Sequence, residues 1–258
     1  MDILIGLIVF VVGAALGSFF NVVIDRVPRK ESVVNPPSHC TACGKRLPGW
    51  LNIPILSYIL LRGKCKFCGA KIHWHHLLVE IATPLLLVAL MLVYGWQSWG
   101  GWKFAVMFGF LIPIFFIDAF HKIIPLVLSV PMALAGLILS LIQSGFRFRD
   151  FALVYLLPVL GLFGLLYLLA VAWEKLLHKE GLGGGDVILI PAVAAYFGAL
   201  HIPWVIMLAC VLGIVYWLIF VRKADTPFAF GNFIAVAAIV WALGGEPVLV
   251  GLGLLSGG

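Results

Sequence analysis

The chain has 258 residues, of which 63% are apolar and 11% charged, where an ordinary soluble domain carries about 25% charged residues. A water-soluble fold of this size cannot hide that much apolar surface, and the same composition excludes a disordered chain and a nucleic-acid-binding domain. Lipid is the remaining solvent. Runs of about 20 apolar residues, the length one membrane-crossing helix needs, recur along the chain, so an all-α polytopic membrane protein is the expected class.

Eight spans are predicted, near Ile3–Ile24, Leu77–Tyr94, Trp102–Ile117, Ile124–Leu141, Phe151–Ala172, Val187–Leu200, Pro203–Val221 and Phe228–Leu243. Val248–Leu254 is a short apolar tail that extends the last helix. A cleaved signal peptide is the alternative for the first run. Met1-Asp2 lacks the basic start that such a peptide needs, and the basic residues follow the run instead. Between spans one and two lie nine cations, from Arg26 to Lys71. Lys122, Lys175, Lys179, Arg222 and Lys223 fall on the same side, making fourteen against Lys103, Arg147 and Arg149 on the other. The bias predicts a cytoplasmic first loop with both termini outside. The net charge of +6 is thus a topology signal with some attraction to anionic lipid, and no nucleic-acid partner is read from it.

That first loop, residues 25–76, contains Cys40-Thr41-Ala42-Cys43 and Cys65-Lys66-Phe67-Cys68 with 21 residues between the pairs. Two such knuckles can close a tetrahedral thiolate site, so Cys40, Cys43, Cys65 and Cys68 are the candidate zinc ligands. Gly44 and Gly69 each follow a second cysteine, where the turn needs a permissive backbone. A pair of disulfides is the alternative, and the reducing cytoplasm disfavours it. Four thiolates leave no open coordination position, so the expected role is structural, with metal supplying folding energy to a segment short of core. His39, His73, His75 and His76 lie nearby and are read as surface or membrane-interface residues. Cys210, inside a span, is expected to be an ordinary buried thiol.

Three acids adjoin apolar helices: Glu80, Asp118 and Asp186. Ionisable groups at membrane depth are expensive and mark functional sites. Asp118 closes the third span and Asp186 opens the sixth after Gly183-Gly184-Gly185, so the predicted topology sets both at the cytoplasmic end. Two carboxylates sharing a site hold one proton between them, which is the chemistry of an aspartic protease. The plain alternative makes Asp186 a helix N-cap. His178-Lys179-Glu180 lacks the zinc-protease spacing, and no Gly-x-Ser-x-Gly elbow is present.

Six ordered blocks resemble the bacterial type IV prepilin peptidases, leader peptidases that are also N-methyltransferases. They are Gly17-Ser18-Phe19-Phe20-Asn21-Val22, the two cysteine knuckles, His76-Leu77-Leu78-Val79-Glu80, Asp118 through Ile124-Pro125, Gly183-Gly184-Gly185-Asp186-Val187 and Phe230-Gly231-Asn232-Phe233. The resemblance implies cleavage of the basic leader of prepilins and pseudopilins at the cytoplasmic face by Asp118 and Asp186. It also implies methylation of the new N-terminus by S-adenosylmethionine, for which no binding residue can be named. Glu80 is read as structural, with orienting the methyl donor or amine as the alternative.

Four positions depart from the pattern: Thr41, Leu126 and Ile188, where the family usually has Pro, Asp and Lys, and Asn232, where the motif has Pro. They touch neither a carboxylate nor a thiolate but bear on substrate preference. The expected organisation is residues 1–24 as a first transmembrane helix, 25–76 as the zinc-binding domain and 77–258 as the transmembrane peptidase core, in the bacterial inner membrane. A peptidase without methyl transfer, a carboxylate-relay transporter and a non-enzymatic scaffold are the rival readings.

Overall fold

The eight predicted spans fall on helices in the computed structural model, which describes residues 3–177, 183–221 and 229–245; Ile124 and Pro125 precede their helix, and Phe228 lies outside the described residues. The expected tail Val248–Leu254, the cations Lys179, Arg222 and Lys223, and the triplet His178-Lys179-Glu180 lie outside the described residues. Among the described residues there is no strand, only two isolated bridges, His39 with Arg46 and Lys64 with Lys71. Six helices are long and apolar enough to cross a membrane: Ile3–Arg29, Trp74–Tyr94, Trp99–His121, Leu126–Gln143, Phe148–Leu176 and Asp186–Phe220. A shorter apolar helix covers Phe230–Gly245. The sixth long helix runs through residues 201–202, where the sequence reading sets the gap between two spans, and breaks instead at Gly198 (φ 69, ψ −176), inside the predicted span Val187–Leu200. The protein is a multi-pass helical membrane protein.

The chain forms two compact units, up to Trp96 and from Gln97 onward. The first holds α1 (Ile3–Arg26), the short α2 (Leu56–Leu60) and α3 (Trp74–Tyr94). Helices α1 and α3 pack antiparallel, and glycine sets their spacing. A Cβ on Gly13 would come 2.7 Å from Pro84 Cα, and one on Gly17 would come 2.9 Å from Glu80 Cα. Lipid tails are as apolar as leucine, so helices gain little by merely hiding leucine from them. Close backbone approach through small residues supplies dispersion contact instead. One turn further on, Asn21 Nδ2 donates to the His76 carbonyl at 3.0 Å.

The second unit holds α4 (Trp99–His121), α5 (Leu126–Gln143), α6 (Phe148–Phe151), α7 (Leu157–Leu177), α8 (Asp186–Tyr216) and α9 (Phe230–Val240). A π-helical turn, Ala152–Leu156, joins α6 to α7. The core lies where α4, α5 and α9 meet the first half of α8, and Met107, Phe108, Leu111, Ile114, Ile117, Leu189 and Tyr196 are wholly buried there. Side-chain hydrogen bonds tie α8 to α5, from Tyr196 to the Met132 carbonyl at 3.1 Å and from Ser140 to the Ala195 carbonyl at 2.8 Å. Buried Lys103 donates to Gln143 Oε1 at 2.7 Å. Cys210 departs from expectation because it is exposed. Together with Met207, Val211 and Ile214 it forms the outward stripe of the second half of α8, at three- and four-residue spacing.

Candidate active site and metal centre

Helix α4 ends at His121, one turn after Asp118. Lys122 adopts the left-handed conformation (φ 58) and returns its N–H to the Asp118 carbonyl at 3.0 Å. Pro125 then starts α5, so the chain turns within residues 122–125 and Ile124 stays beside the end of α4. Two other blocks close onto that isoleucine. A Cβ on Gly185 would come 2.5 Å from Ile124 Cβ. A Cβ on Gly231 would come 2.7 Å from Ile124 Cδ1 and 2.9 Å from Asp118 Oδ2. The start of α8 and the start of α9 therefore both rest on the corner that follows Asp118.

Asp118 and Asp186, 68 positions apart in sequence, are brought to this one cluster, and both are buried, with 4% and 8% of their surface exposed. Their charges lie within interaction range of each other. Asp118 Oδ2 accepts the backbone N–H of Asn232 at 3.1 Å. Asp186 Oδ1 is buried and meets no hydrogen-bond partner among the described residues. Gly185 is the N-cap residue of α8 and makes no side-chain cap bond, and Asp186 is the first helical residue. Its carboxyl is thus left available to the cluster, where a capping role would have occupied it. An unpartnered buried carboxyl oxygen is costly unless something else meets it.

Glu80 belongs to the first unit. Its Oε2 accepts the Ile55 N–H at 2.6 Å, and Ser18 and Asn21 are further partners. Ile55 (φ 64, ψ −53) occupies the rare γ-turn conformation, which is strained for a β-branched residue. Glu80 ties that turn to α3, a structural use of the acid.

The four cysteines of the loop converge. Their sulfurs lie within 4.8 Å of one another, and Cys40 Sγ is 3.8 Å from Cys68 Sγ. A tetrahedron with Zn–S bonds of about 2.3 Å has an edge of about 3.8 Å, so the donor set fits zinc in type, number and spacing. The two knuckles repeat one backbone pattern: Cys40 N–H to Lys45 O at 3.0 Å and Gly44 N–H to Cys40 O at 2.8 Å, then Cys65 N–H to Ala70 O at 2.8 Å and Gly69 N–H to Cys65 O at 2.9 Å. Gly44 (φ 69) and Gly69 (φ 72) take the left-handed conformation that the turns require. The Cys65 thiol is drawn down to about 7 by the backbone N–H groups of Cys68 and Phe67. Cys68 is pushed up to about 11, because the downward pull of the Ala70 N–H is outweighed by desolvation and by the neighbouring thiols, Cys43 first. A divalent ion among them would reverse that balance and hold the sulfurs as thiolates.

Two family models match this chain, the Bacterial Peptidase A24 N-terminal domain over residues 11–94 and the Type IV leader peptidase family over residues 105–218. A Neisseria gonorrhoeae protein named Prepilin leader peptidase/N-methyltransferase is 33% identical over 251 residues, covering 88% of this chain and 86% of its own length. The chain belongs to the type IV leader peptidase family. The family is one of aspartic proteases. A protein of the same name from Myxococcus xanthus is 36% identical over 212 residues, and the match spans 82% of this chain but 62% of that longer protein. In Pseudomonas aeruginosa the similarly named protein is 32% identical over 267 residues, with 92% and 89% covered. No solved structure matches.

Sequence reasoning picks out the acids, the thiols and the glycine blocks of this leader peptidase relative, but not Ile124 as the side chain on which two blocks rest. Its only signal is its place just before Pro125. The Asn232 contact is equally hidden. At a position where the resemblance expects proline, this chain has a backbone N–H, and that N–H reaches Asp118.

Proposed function

We propose that this chain cleaves the leader peptide of type IV prepilins or pseudopilins with Asp118 and Asp186, at the cytoplasmic face of the bacterial inner membrane. The observation that carries the reading is the gathering of both buried carboxylates about Ile124. In the proposed reaction the pair shares one proton. Asp118, acceptor of the Asn232 N–H, takes a proton from water as the water oxygen bonds to the scissile carbonyl carbon. Asp186, whose Oδ1 meets no partner among the described residues, gives its proton to the carbonyl oxygen. The tetrahedral adduct then collapses. The C–N bond breaks, the leaving nitrogen takes the proton held by Asp118, and Asp186 recovers its own from the adduct hydroxyl.

The fourteen-to-three bias of basic residues supports a cytoplasmic thiolate loop with both termini outside. Cys40, Cys43, Cys65 and Cys68 hold a structural zinc ion, which closes the loop and takes no part in hydrolysis. The names of the relatives support a second activity, methylation of the new amine with S-adenosylmethionine as donor. The cavity bounded by Pro158, Leu162, Ile202, Pro203 and Met207 is almost wholly apolar and does not fit that cationic nucleoside. Membrane lipid is the other partner. The test is cleavage of a prepilin peptide by purified Asp118→Asn and Asp186→Asn. Acid–base catalysis by one group is worth about 10²–10⁴-fold, so each variant should lose at least 10²-fold in kcat while keeping the wild-type unfolding temperature. Full activity in either variant ends the proposal.

A further inference from the structure

A third group of ligating side chains sits where α1 ends and α3 begins. Asp25 lies in the last turn of α1, opposite His75 and His76 in the first turn of α3. His75 Nε2 is 3.7 Å from Asp25 Oδ1, and His76 Nε2 is 3.6 Å from Asp25 Oδ2. We propose that Asp25, His75 and His76 bind a second divalent transition-metal ion, separate from the four-thiolate cluster.

The spacing is the first argument. Separations of 3.6 and 3.7 Å exceed a direct N–H···O hydrogen bond. They lie close to the edge of about 3.4 Å for a tetrahedral site with zinc bonds of about 2.1 Å to nitrogen and oxygen. The ligand atoms of all three residues fall within 4.8 Å of one another. Chemistry is the second argument. Two imidazoles and one carboxylate suit zinc, nickel or ferrous iron, and poorly suit calcium or magnesium. Three protein ligands leave at least one position for water, unlike the closed thiolate site.

The surroundings orient the donors. His73 Nδ1 is 2.7 Å from His75 Nδ1, so one of the two carries a proton between them. When His75 is the donor, its Nε2 lone pair points toward Asp25, the orientation that a metal ligand needs. The His75 and His76 rings stack at 4.3 Å and 25°, and Asn21 anchors the His76 backbone to α1. His75 is 7% exposed, so little reordering is required of it. Arg29 lies within electrostatic range of Asp25, and the ion would add to that charge balance. The bound ion would pin the last turn of α1 to the first turn of α3, at the two ends of the segment that carries the thiols.

Titrating the detergent-purified, chelator-stripped full chain with Co²⁺ tests the proposal. Two equivalents are expected, one with intense sulfur-to-metal charge-transfer bands and one with only the weak visible bands of nitrogen and oxygen ligands. Asp25→Asn with His76→Gln should lose the weak component and keep the intense one. Cys65→Ser with Cys68→Ser should do the reverse, which also separates this site from the zinc reading above. A variant that loses both components has failed to fold, and the wild-type stoichiometry then decides alone. A wild-type chain that takes one equivalent, with no component free of sulfur bands, overturns the proposal.

Discussion

The three glycines before Asp186 allow the aspartate geometry to be tested one methyl group at a time. A Cβ on Gly184 would meet nothing within 4 Å. On Gly183 it would come 3.2 Å from Asp186 Oδ2, and on Gly185 it would come 2.5 Å from Ile124 Cβ. Non-bonded carbons prefer about 3.5–4.0 Å, so alanine at 185 must open that contact by about 1 Å or more. Ile124 Cβ cannot swing aside by changing rotamer, so the start of α8 or the corner at 122–125 has to move. The backbone itself does not object. None of the three glycines has a positive φ, and Gly185 (φ −69, ψ −39) is already helical. Overpacking of this kind costs about 1–3 kcal/mol. An Asp186 displaced by about 1 Å from Asp118 is expected to cost about 10²-fold in kcat. The graded expectation is near-wild-type cleavage for Gly184→Ala, a smaller loss for Gly183→Ala and about 10²-fold for Gly185→Ala. Single-turnover cleavage of a prepilin peptide at saturating concentration measures it, with thermal unfolding run alongside. A Gly185→Ala enzyme within twofold of wild type would refute the argument that Ile124 holds the two acids in register.

Asn232→Pro deletes the N–H that reaches Asp118, and a hydrogen bond to a charged group is worth about 1.5–3 kcal/mol. Cleavage should slow about tenfold or more, whereas Asn232→Ala, which keeps the backbone N–H, should leave the rate near wild type; equal rates in the two variants would mean that the side chain or neither group matters. Cys65→Ser should lower bound zinc, read by elemental analysis, and make the 25–76 loop sensitive to limited proteolysis; stoichiometric zinc in that variant would remove the thiolate assignment. Gly17→Ala drives a methyl into Glu80 Cα and the Val79 carbonyl, each 2.9 Å away, and should destabilise α1 against α3 by about 1–3 kcal/mol. Gly44→Ala has no neighbour within 4 Å, so its cost is confined to the left-handed backbone (φ 69), about 1 kcal/mol, and unfolding in detergent should rank it below Gly17→Ala.

The features legible in the sequence share a local cause. Apolar run length gives the helices, cysteine spacing gives the thiolate cluster, and a lone acid beside an apolar run is conspicuous because lipid penalises it. The features that are not legible depend on contact between distant segments. The break at Gly198 falls inside a span the sequence reads as continuous to Leu200, because glycine in an apolar run carries no message until Val154 is known to pack where its Cβ would be. Cys210 looks buried in the sequence because periodicity cannot tell a core stripe from a lipid-facing one when both are apolar. His75 and His76 read as interface residues because Asp25, their partner, lies 50 positions away in sequence on another helix.

A common device underlies the acids at membrane depth. Glu80 lies against Gly17, Asp118 against Gly231 and Asp186 near Gly183, in each case where a Cβ would come within about 3.2 Å of the acid residue. Without water, such a carboxyl needs either a backbone N–H at close range or a space kept free for a ligand, and a neighbouring side chain would deny both. Glu80 and Asp118 take the first course, with the Ile55 and Asn232 N–H groups. Asp186 takes the second, since its Oδ1 is buried without a partner among the described residues. An oxygen that accepts a backbone N–H is held in place, and a buried oxygen with no partner among the described residues leaves room for a ligand. On that criterion Asp186 is the member of the pair where a substrate carbonyl would be met, and Glu80 needs no substrate to account for it.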